Sequence, residues 1–152
     1  MEKIASFTVD HTKFGPGMYV SRVDGDIVTY DVRMKKPNGG DYLDVAGAHT
    51  IEHLFATYAR NTEWKDHIIY VGPMGCRTGF YFLAKDLPAE TAIQIVYDAM
   101  CFIRDFEGDI PGATEVECGN YREQDLGTAK KDIAVILELL KDYPVEKLTY
   151  PC

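Results

Sequence analysis

The spacing of apolar side chains divides the chain into strand-like and helix-like segments. Residues 17–34 contain two β-rich runs around an Asp-Gly-Asp turn at 24–26. An Asp-Gly pair in this position is a strong hairpin signal. Short apolar runs at 67–72 and 80–83 predict two further strands. We expect Pro73 and its glycine neighbours to interrupt the first of these, because proline has no N–H for a strand ladder.

Three helices are predicted from apolar positions that recur every three or four residues. The first extends from about residue 46 to 60, and the second begins at Pro88, since proline suits the first helical position. Residues 107–123 are turn-rich. The apolar positions of the second helix are Ala92, Ile93, Val96, Ala99, Met100 and Ile103, and those of a last helix are Ala129, Ile133, Ile136, Leu137 and Leu140. Helices and strands do not alternate regularly, which predicts an α+β fold with an antiparallel sheet packed against helices.

Length and composition indicate one soluble globular domain over residues 1–152. The hydrophobic fraction of 46% and the charged fraction of 26% are ordinary for such a domain. A formal net charge of −8 argues against nucleic acid and anionic membranes as partners, because both attract clustered Lys and Arg. The N-terminus has no apolar signal segment, and no apolar run approaches the ~20 residues that span a bilayer. We therefore expect a cytoplasmic protein.

The first helix carries the pattern His-x-x-Glu-His at His49, Glu52 and His53. Residues four apart on a helix share a face, so the two imidazoles can bind one metal ion. Glu52 would lie beside the metal without having to ligate it, an arrangement that suits metal-assisted acid and base chemistry. The plainer interpretation is a surface helix with two solvated histidines. The apolar flanks favour the metal site.

Cys118 is a candidate third ligand, 65 residues after His53. Two histidines and one cysteine leave a fourth position open, which is typical of catalytic sites, whereas structural zinc usually has four protein ligands. A thiolate among the ligands suits Fe²⁺, Co²⁺ or Zn²⁺. Alternatively, Cys118 is a small buried apolar residue, which is the commoner role of a lone cysteine.

Cys76 lies in a glycine-rich turn between two predicted strands. Arg77 or another nearby cation could lower its pKa and make the thiolate available. The pattern leaves open whether this cysteine is reactive or structural. Cys101 has the position of a core residue in a helix, and Cys152 at the C-terminus has no indicated role. The wide spacing of the four cysteines favours free thiols or metal ligands over disulfides.

The ordered set of these motifs resembles the S-ribosylhomocysteine lyase family (LuxS, autoinducer-2 synthase) over roughly residues 5 to 140. The motifs that carry the resemblance are Ser6-Phe7-x-x-Asp10-His11, Asp31-Val32-Arg33, His49-x-x-Glu52-His53, Pro73-Met74-Gly75-Cys76-x-Thr78-Gly79 and Cys118-Gly119. The ordered combination is far more specific than any one motif.

The resemblance implies an α+β fold with an antiparallel sheet, and a homodimer whose two active sites lie at the subunit interface. It also implies an Fe²⁺ cofactor, for which Zn²⁺ or Co²⁺ can substitute. By matching positions, His49, His53 and Cys118 would be metal ligands, Glu52 and Cys76 the acid/base pair, and Ser6, His11 and Arg33 the substrate-contacting residues.

The implied reaction cleaves S-ribosylhomocysteine to homocysteine and 4,5-dihydroxy-2,3-pentanedione, the precursor of the quorum-sensing signal autoinducer-2. It proceeds through enediolate isomerisations and a β-elimination, without an external redox cofactor. One departure from the family pattern concerns the position six residues before Cys76. An acidic residue that holds the amino-acid end of the substrate is expected there, and this chain has Tyr70.

Two other functions are compatible with the motifs. An inverted-motif metallopeptidase would use Glu52 to activate water and would recruit Glu115 or Glu117 as third ligand, although the chain is short for that architecture. A non-catalytic zinc-binding module would close the site with Cys76 or Cys101 as fourth ligand. The metal geometry distinguishes these hypotheses.

Overall fold

A four-stranded antiparallel sheet forms the frame of the protein. The computed structural model describes all residues 1–152. Strands β1 (Gly17–Asp24) and β2 (Ile27–Arg33) form the predicted hairpin, and β3 (Ile68–Pro73) and β4 (Gly79–Lys85) form a second one. β4 pairs with β2, so the strand order is β1-β2-β4-β3. The predicted antiparallel sheet is confirmed, and the architecture is consistent with the α+β class.

Four helices build a common core with one face of this sheet. They are α1 (Val45–Ala59), α2 (Ala89–Asp105), α3 (Leu126–Asp132) and α4 (Ala134–Leu139). α1 is central, because it packs against β3, α2 and α3. Its Phe55 ring lies 5.7 Å from the ring of Phe82 on β4. None of the helices combines the length and apolarity needed to cross a bilayer.

The elements differ from the predictions at three places. The prediction of a single last helix was wrong, because the chain bends at Ile133 and forms two short helices. These two helices pack mainly against different partners, α3 against α1 and α4 against α2. Pro88 is the residue before α2 rather than its first residue. Pro73 is included in β3, which it can be because β3 is an edge strand with one unpaired side.

The β2–β4 register separates a core face from an outer face. Successive side chains of a strand point to opposite faces. The core face carries Met18, Tyr30, Val32, Phe80 and Phe82, which belong to the central cluster, and Val20, which packs against it. The outer face carries Asp31 and Arg33, whose side chains are only 4% and 5% exposed. Two oppositely charged groups are therefore buried outside the main core.

Both ends of the chain cover this buried pair. Phe14, before β1, lies over the Arg33 guanidinium at 5.3 Å, and Tyr150, near the C-terminus, lies 4.6 Å from the Phe14 ring. Tyr150 also stacks on Tyr19 of β1 at 4.3 Å with an interplanar angle of 11°. The outer face therefore has a small aromatic cover, separate from the helical core.

Glycine is required at position 79, where β4 passes Arg33 of β2. A Cβ atom at Gly79 would collide with the backbone of Val32 and Arg33, whereas one at Gly75 in the preceding turn would meet no atom within 4 Å. We expect Gly79→Ala to lower the free energy of unfolding by roughly 1–3 kcal/mol, because backbone must shift to admit the methyl group. Gly75→Ala is the control and should change it by less than about 0.5 kcal/mol. Urea denaturation measures both, and equal values would contradict the close approach.

Candidate functional site

Helix α1 positions the two histidines of the His-x-x-Glu-His motif. The helix begins after Asp44, whose carboxylate accepts a hydrogen bond of 3.0 Å from the Gly47 amide, as a good N-cap does. Fully buried side chains such as Ile51 and Leu54 fix the opposite face in the core. His49 and His53, one turn apart, therefore project together from a rigid helix.

Cys118 meets these two histidines, as predicted. The Nε2 atoms of His49 and His53 are 3.0 Å apart, and the Cys118 Sγ lies 3.4 Å from His49 Nε2. All three ligand atoms lie within 4.8 Å of one another. Around a tetrahedral ion, with metal–nitrogen bonds of ~2.05 Å and metal–sulfur bonds of ~2.3 Å, two nitrogens are about 3.3 Å apart and nitrogen and sulfur about 3.6 Å apart. The group therefore fits a divalent metal ion.

Two backbone carbonyl groups orient the imidazoles. His49 Nδ1 is 2.8 Å from the Glu123 carbonyl oxygen, and His53 Nδ1 is 2.7 Å from that of Pro111. A carbonyl oxygen can only accept, so each Nδ1 carries a proton, and in this tautomer of the imidazole it is Nε2 that offers a lone pair to a metal ion. Two lone pairs that face each other repel unless a cation lies between them. The hydrogen bonds thus prepare both Nε2 atoms as ligands.

Buried Thr50 connects α1 to the segment that supplies one of these carbonyls. Its hydroxyl donates to Gln124 Oε1 at 2.6 Å and accepts from the Asp125 amide at 2.9 Å. The segment next to Glu123 is thereby held against His49. This support could not be predicted from the sequence, where the only local signal is a threonine next to a candidate ligand on the apolar side of the helix.

The group contains three protein ligands and no fourth. Cys76, Cys101, Glu115 and Glu117, which the alternative hypotheses required, do not belong to it. Glu117 instead accepts a hydrogen bond from Thr114. Three ligands with room for a further one are typical of a catalytic metal site, so the arrangement does not match a closed structural zinc module.

Glu52 lies next to His53 and lacks a partner within the chain. The carboxylate forms no hydrogen bond or ion pair, and the half-buried side chain lines a recess together with His53, Pro111 and Gly112. A carboxylate that is close to a metal site and is not held by other groups can accept and return protons. The position is consistent with its predicted acid/base role.

Cys76 presents an exposed thiol at the β3–β4 turn. Its Sγ is 3.1 Å from Thr78 Oγ1 and 3.8 Å from Arg33 Nη1. Partial burial alone would raise the pKa of this thiol, but the hydrogen bonds from Thr78 and the charge of Arg33 outweigh burial, and the pKa is lowered. The expected nearby cation is therefore Arg33, since Arg77 donates to the Leu43 carbonyl instead.

Of the three predicted substrate contacts, two lie at this thiol. The Arg33 guanidinium is buried beside Cys76, and its Nη2 is 3.5 Å from His11 Nε2. Ser6 lies in a 3₁₀ turn (Ala5–Phe7) and forms no hydrogen bond to either residue. We refer to Cys76, Arg33, Thr78 and His11 as the thiol cluster. No hydrogen bond or ion pair joins the thiol cluster to the three-ligand group within one chain.

Tyr70, at the expected acidic position, lies 49% exposed on the edge strand β3. Its hydroxyl occupies the space that a side chain at position 72 would take, and that residue is glycine. The ring therefore lies along its own strand over Gly72. An uncharged phenol at this edge cannot form an ion pair with an ammonium group, which distinguishes this position from the pattern expected of the family.

Fold and site together define a class of small α+β proteins with a His₂Cys group that could hold a metal ion and a separate exposed thiol with a lowered pKa. A model of the S-ribosylhomocysteinase (LuxS) family matches residues 4–145, and the chain belongs to this family. Similar proteins named S-ribosylhomocysteine lyase occur in Desulfotalea psychrophila (47% identity) and Borreliella burgdorferi (45% identity), each aligned over 99% of this chain. The alignments cover 99% and 100% of these relatives.

We expect stoichiometric metal binding that depends on the three-ligand group. His49→Ala and Cys118→Ala should each lose most of the metal, because a site with two remaining ligands binds weakly. Thr50→Val should weaken affinity by about 10–100-fold through loss of the support behind His49. Metal content after dialysis, measured by inductively coupled plasma mass spectrometry, tests this. His67→Ala is the control, since His67 lies outside the group; retention of metal by Cys118→Ala would contradict the ligand assignment.

Proposed function

We propose that this chain catalyses the cleavage of S-ribosylhomocysteine to homocysteine and 4,5-dihydroxy-2,3-pentanedione, the autoinducer-2 precursor. The observation that carries the proposal is the combination of a three-ligand His₂Cys group with two acid/base side chains, the unpartnered Glu52 carboxylate and the exposed Cys76 thiol beside Arg33. Membership of the S-ribosylhomocysteinase family and the names of the relatives support it. A reducing cytoplasm is the proposed location, because all four cysteines are unpaired thiols.

The chemistry of the substrate explains why such groups are needed. A thioether leaves only after a carbanion forms next to it and α to a carbonyl group. In the ribose chain the carbonyl starts at C1, so it must migrate towards the sulfur first. Each migration removes a proton from one carbon and returns a proton to its neighbour. An enzyme for this reaction needs at least two proton-transferring groups.

Metal ligation is proposed for His49, His53 and Cys118. Fe²⁺ is the proposed ion, with Zn²⁺ or Co²⁺ as substitutes, and imidazole and thiolate suit all three. When bound, the ion would supply Lewis-acid stabilisation of negative charge on substrate oxygens. The protein contributes by directing both Nε2 lone pairs to one point and by leaving a coordination position for substrate.

Proton transfer is proposed for Glu52 and Cys76. The lowered pKa of Cys76 increases the fraction of thiolate at a given pH, and the thiolate is the form that can act as a base. Glu52 has no competing partner and can exchange protons from the metal side. The charge of Arg33 stabilises the thiolate, while His11 and Ser6 are proposed to contact the substrate. Two bases on different sides of the substrate's carbon chain can move protons between adjacent carbons.

A homodimer with active sites at its interface is also proposed. Within one chain the three-ligand group and the thiol cluster share no hydrogen bond or ion pair, yet the reaction needs both. Large apolar side chains are exposed next to two of the predicted site residues in the sequence: Ile4 and Phe7 flank the segment of Ser6, and Val116 precedes Cys118 by two residues. Such side chains support burial against a second copy. Each site would then combine the metal group of one subunit with the thiol cluster of its partner.

Turnover should depend on both proposed acid/base residues. We expect Cys76→Ala and Glu52→Gln to retain the metal and to lose at least about 10²-fold in turnover, as removal of a general base does. The measurement is homocysteine thiol released from S-ribosylhomocysteine by Fe²⁺-loaded protein under anaerobic conditions. Cys152→Ala and Glu63→Gln are matched controls at exposed positions and should keep the native rate. Near-native turnover by Cys76→Ala would exclude its acid/base role.

Mixed dimers should recover activity that neither parent variant has. If each site uses Glu52 of one subunit and Cys76 of the other, a heterodimer of the two variant chains contains one intact site. Random reassembly of equal amounts should then restore about one quarter of native turnover, since half the dimers are mixed and each has one of two sites. Unfolding and refolding the chains together tests this. Activity no higher than that of the separately refolded variants would place both residues in one subunit's site.

A further inference from the structure

Tyr150 contacts two buried charges, Asp31 and Arg33, from the C-terminal end of the chain. The family match ends at residue 145, and Tyr150 follows it in the C-terminal segment. Its hydroxyl donates a short hydrogen bond to the Asp31 carboxylate and accepts one from Arg33 Nε at 3.2 Å. The ring is fixed by stacking on Tyr19 at 4.3 Å. A residue beyond the matched region thus bridges the two buried charges beneath Cys76.

The donors of Arg33 are divided between competing acceptors. Nη1 donates to Thr78 at 2.8 Å and faces the Cys76 sulfur at 3.8 Å, whereas Nη2 is 3.5 Å from Asp31. A guanidinium is planar, so the direction of Nε fixes the directions of both terminal nitrogens. The hydrogen bond from Nε to Tyr150 therefore determines which acceptors Nη1 and Nη2 can reach.

Asp31 competes with Cys76 for the positive charge of Arg33. The carboxylate is buried on the same face of β2, two residues away, and its Oδ1 atom has no hydrogen-bond partner. Tyr150 donates a hydrogen bond to this carboxylate, and Arg33, with Nη2 at 3.5 Å, is the cation that forms an ion pair with it. If the phenol hydroxyl were removed, a buried carboxylate and a buried Nε–H would both be left short of partners. The guanidinium would then turn towards Asp31 and away from the thiol.

We propose that Tyr150 is a positioning residue whose hydroxyl keeps the Arg33 guanidinium directed at Cys76 instead of Asp31. The consequence for catalysis rests on the proposed acid/base function of Cys76, but the effect on the thiol itself does not. The C-terminal segment thereby becomes part of the machinery that makes this thiol reactive, although it follows residue 145, where the match to the family model ends.

The surrounding charges are consistent with this role. Burial, together with the Asp31 charge, raises the pKa of Tyr150, so the phenol remains protonated and continues to donate across the neutral range. Burial also raises the pKa of Asp31, which reflects how poorly this carboxylate is solvated. The other titratable groups around the thiol are His11, which contacts Arg33, and Tyr81 of β4.

Tyr150→Phe tests the proposal, because it removes the hydroxyl and keeps the stacked ring. We expect alkylation of Cys76 by iodoacetamide to be roughly 3–10-fold slower at pH 7 and its pH midpoint to move upward, since less of the thiol is ionised. Peptide mass spectrometry separates Cys76 from the other cysteines. Tyr143→Phe is the control: it also loses buried hydrogen bonds, to the Met18 backbone, but does not contact Asp31 or Arg33. It should leave the Cys76 profile unchanged.

A double-variant cycle identifies the route of the effect. Lysine at position 33 lacks the planar fork, so Tyr150→Phe should cause no further slowing in an Arg33→Lys background. An unchanged Cys76 profile in Tyr150→Phe, or an equal shift in Tyr143→Phe, would overturn the proposal. Alkylation reports on the thiol whether or not the protein releases homocysteine. If the protein showed no lyase turnover but Tyr150→Phe still slowed alkylation of Cys76, the proposed function would be contradicted and the positioning role of Tyr150 would be supported.

Discussion

The pairing of β2 with β4 is the constraint on which the rest of the structure depends. Its register places Tyr30 opposite Phe82 in the core and Arg33 opposite Gly79 on the outer face. A shift by one residue would exchange the two faces, burying Asp31 and Arg33 among apolar side chains. Gly79 lets the backbones of β2 and β4 approach each other, and β4 begins at this residue, directly after the Cys76 turn. One register therefore determines both the hydrophobic core and the charge that acts on the thiol.

The metal side of the molecule is built differently, from a helix and two irregular segments. The core face of α1 anchors the histidines, but their orientation comes from the carbonyl groups of Pro111 and Glu123, which belong to loops. A loop can hold a carbonyl group in place only if the loop itself is held by other contacts. Thr50 holds residues 123–125 through its hydrogen bonds with Gln124 and Asp125. The rigidity of the helix is thus extended to the loop, which is how a site retains its geometry before the metal binds.

Features that depend on local spacing could be predicted from the sequence, and those that depend on distant contacts could not. The hairpin turn, α1 and the shared face of His49 and His53 follow from short-range patterns. The bend at Ile133 does not, since the apolar spacing continues through it and the packing of two short helices decides the outcome. For the same reason the sequence could name only Arg77 or another unspecified cation as the neighbour of Cys76, and the structure places Arg33 there, 43 residues away. Tyr150 gave no signal because its partners lie at the other end of the chain.

The buried Asp31–Arg33 pair is better explained by chemistry than by stability. Removing two charges from water costs several kcal/mol per ion, and their attraction offsets this only when every polar atom is satisfied. Here one carboxylate oxygen lacks a partner, and apolar residues of similar size would be at least as stable. An apolar pair, however, would leave the exposed Cys76 thiol without a nearby cation. The pair therefore costs stability, and what it provides is a guanidinium held close to the Cys76 sulfur, where its positive charge lowers the pKa of the thiol.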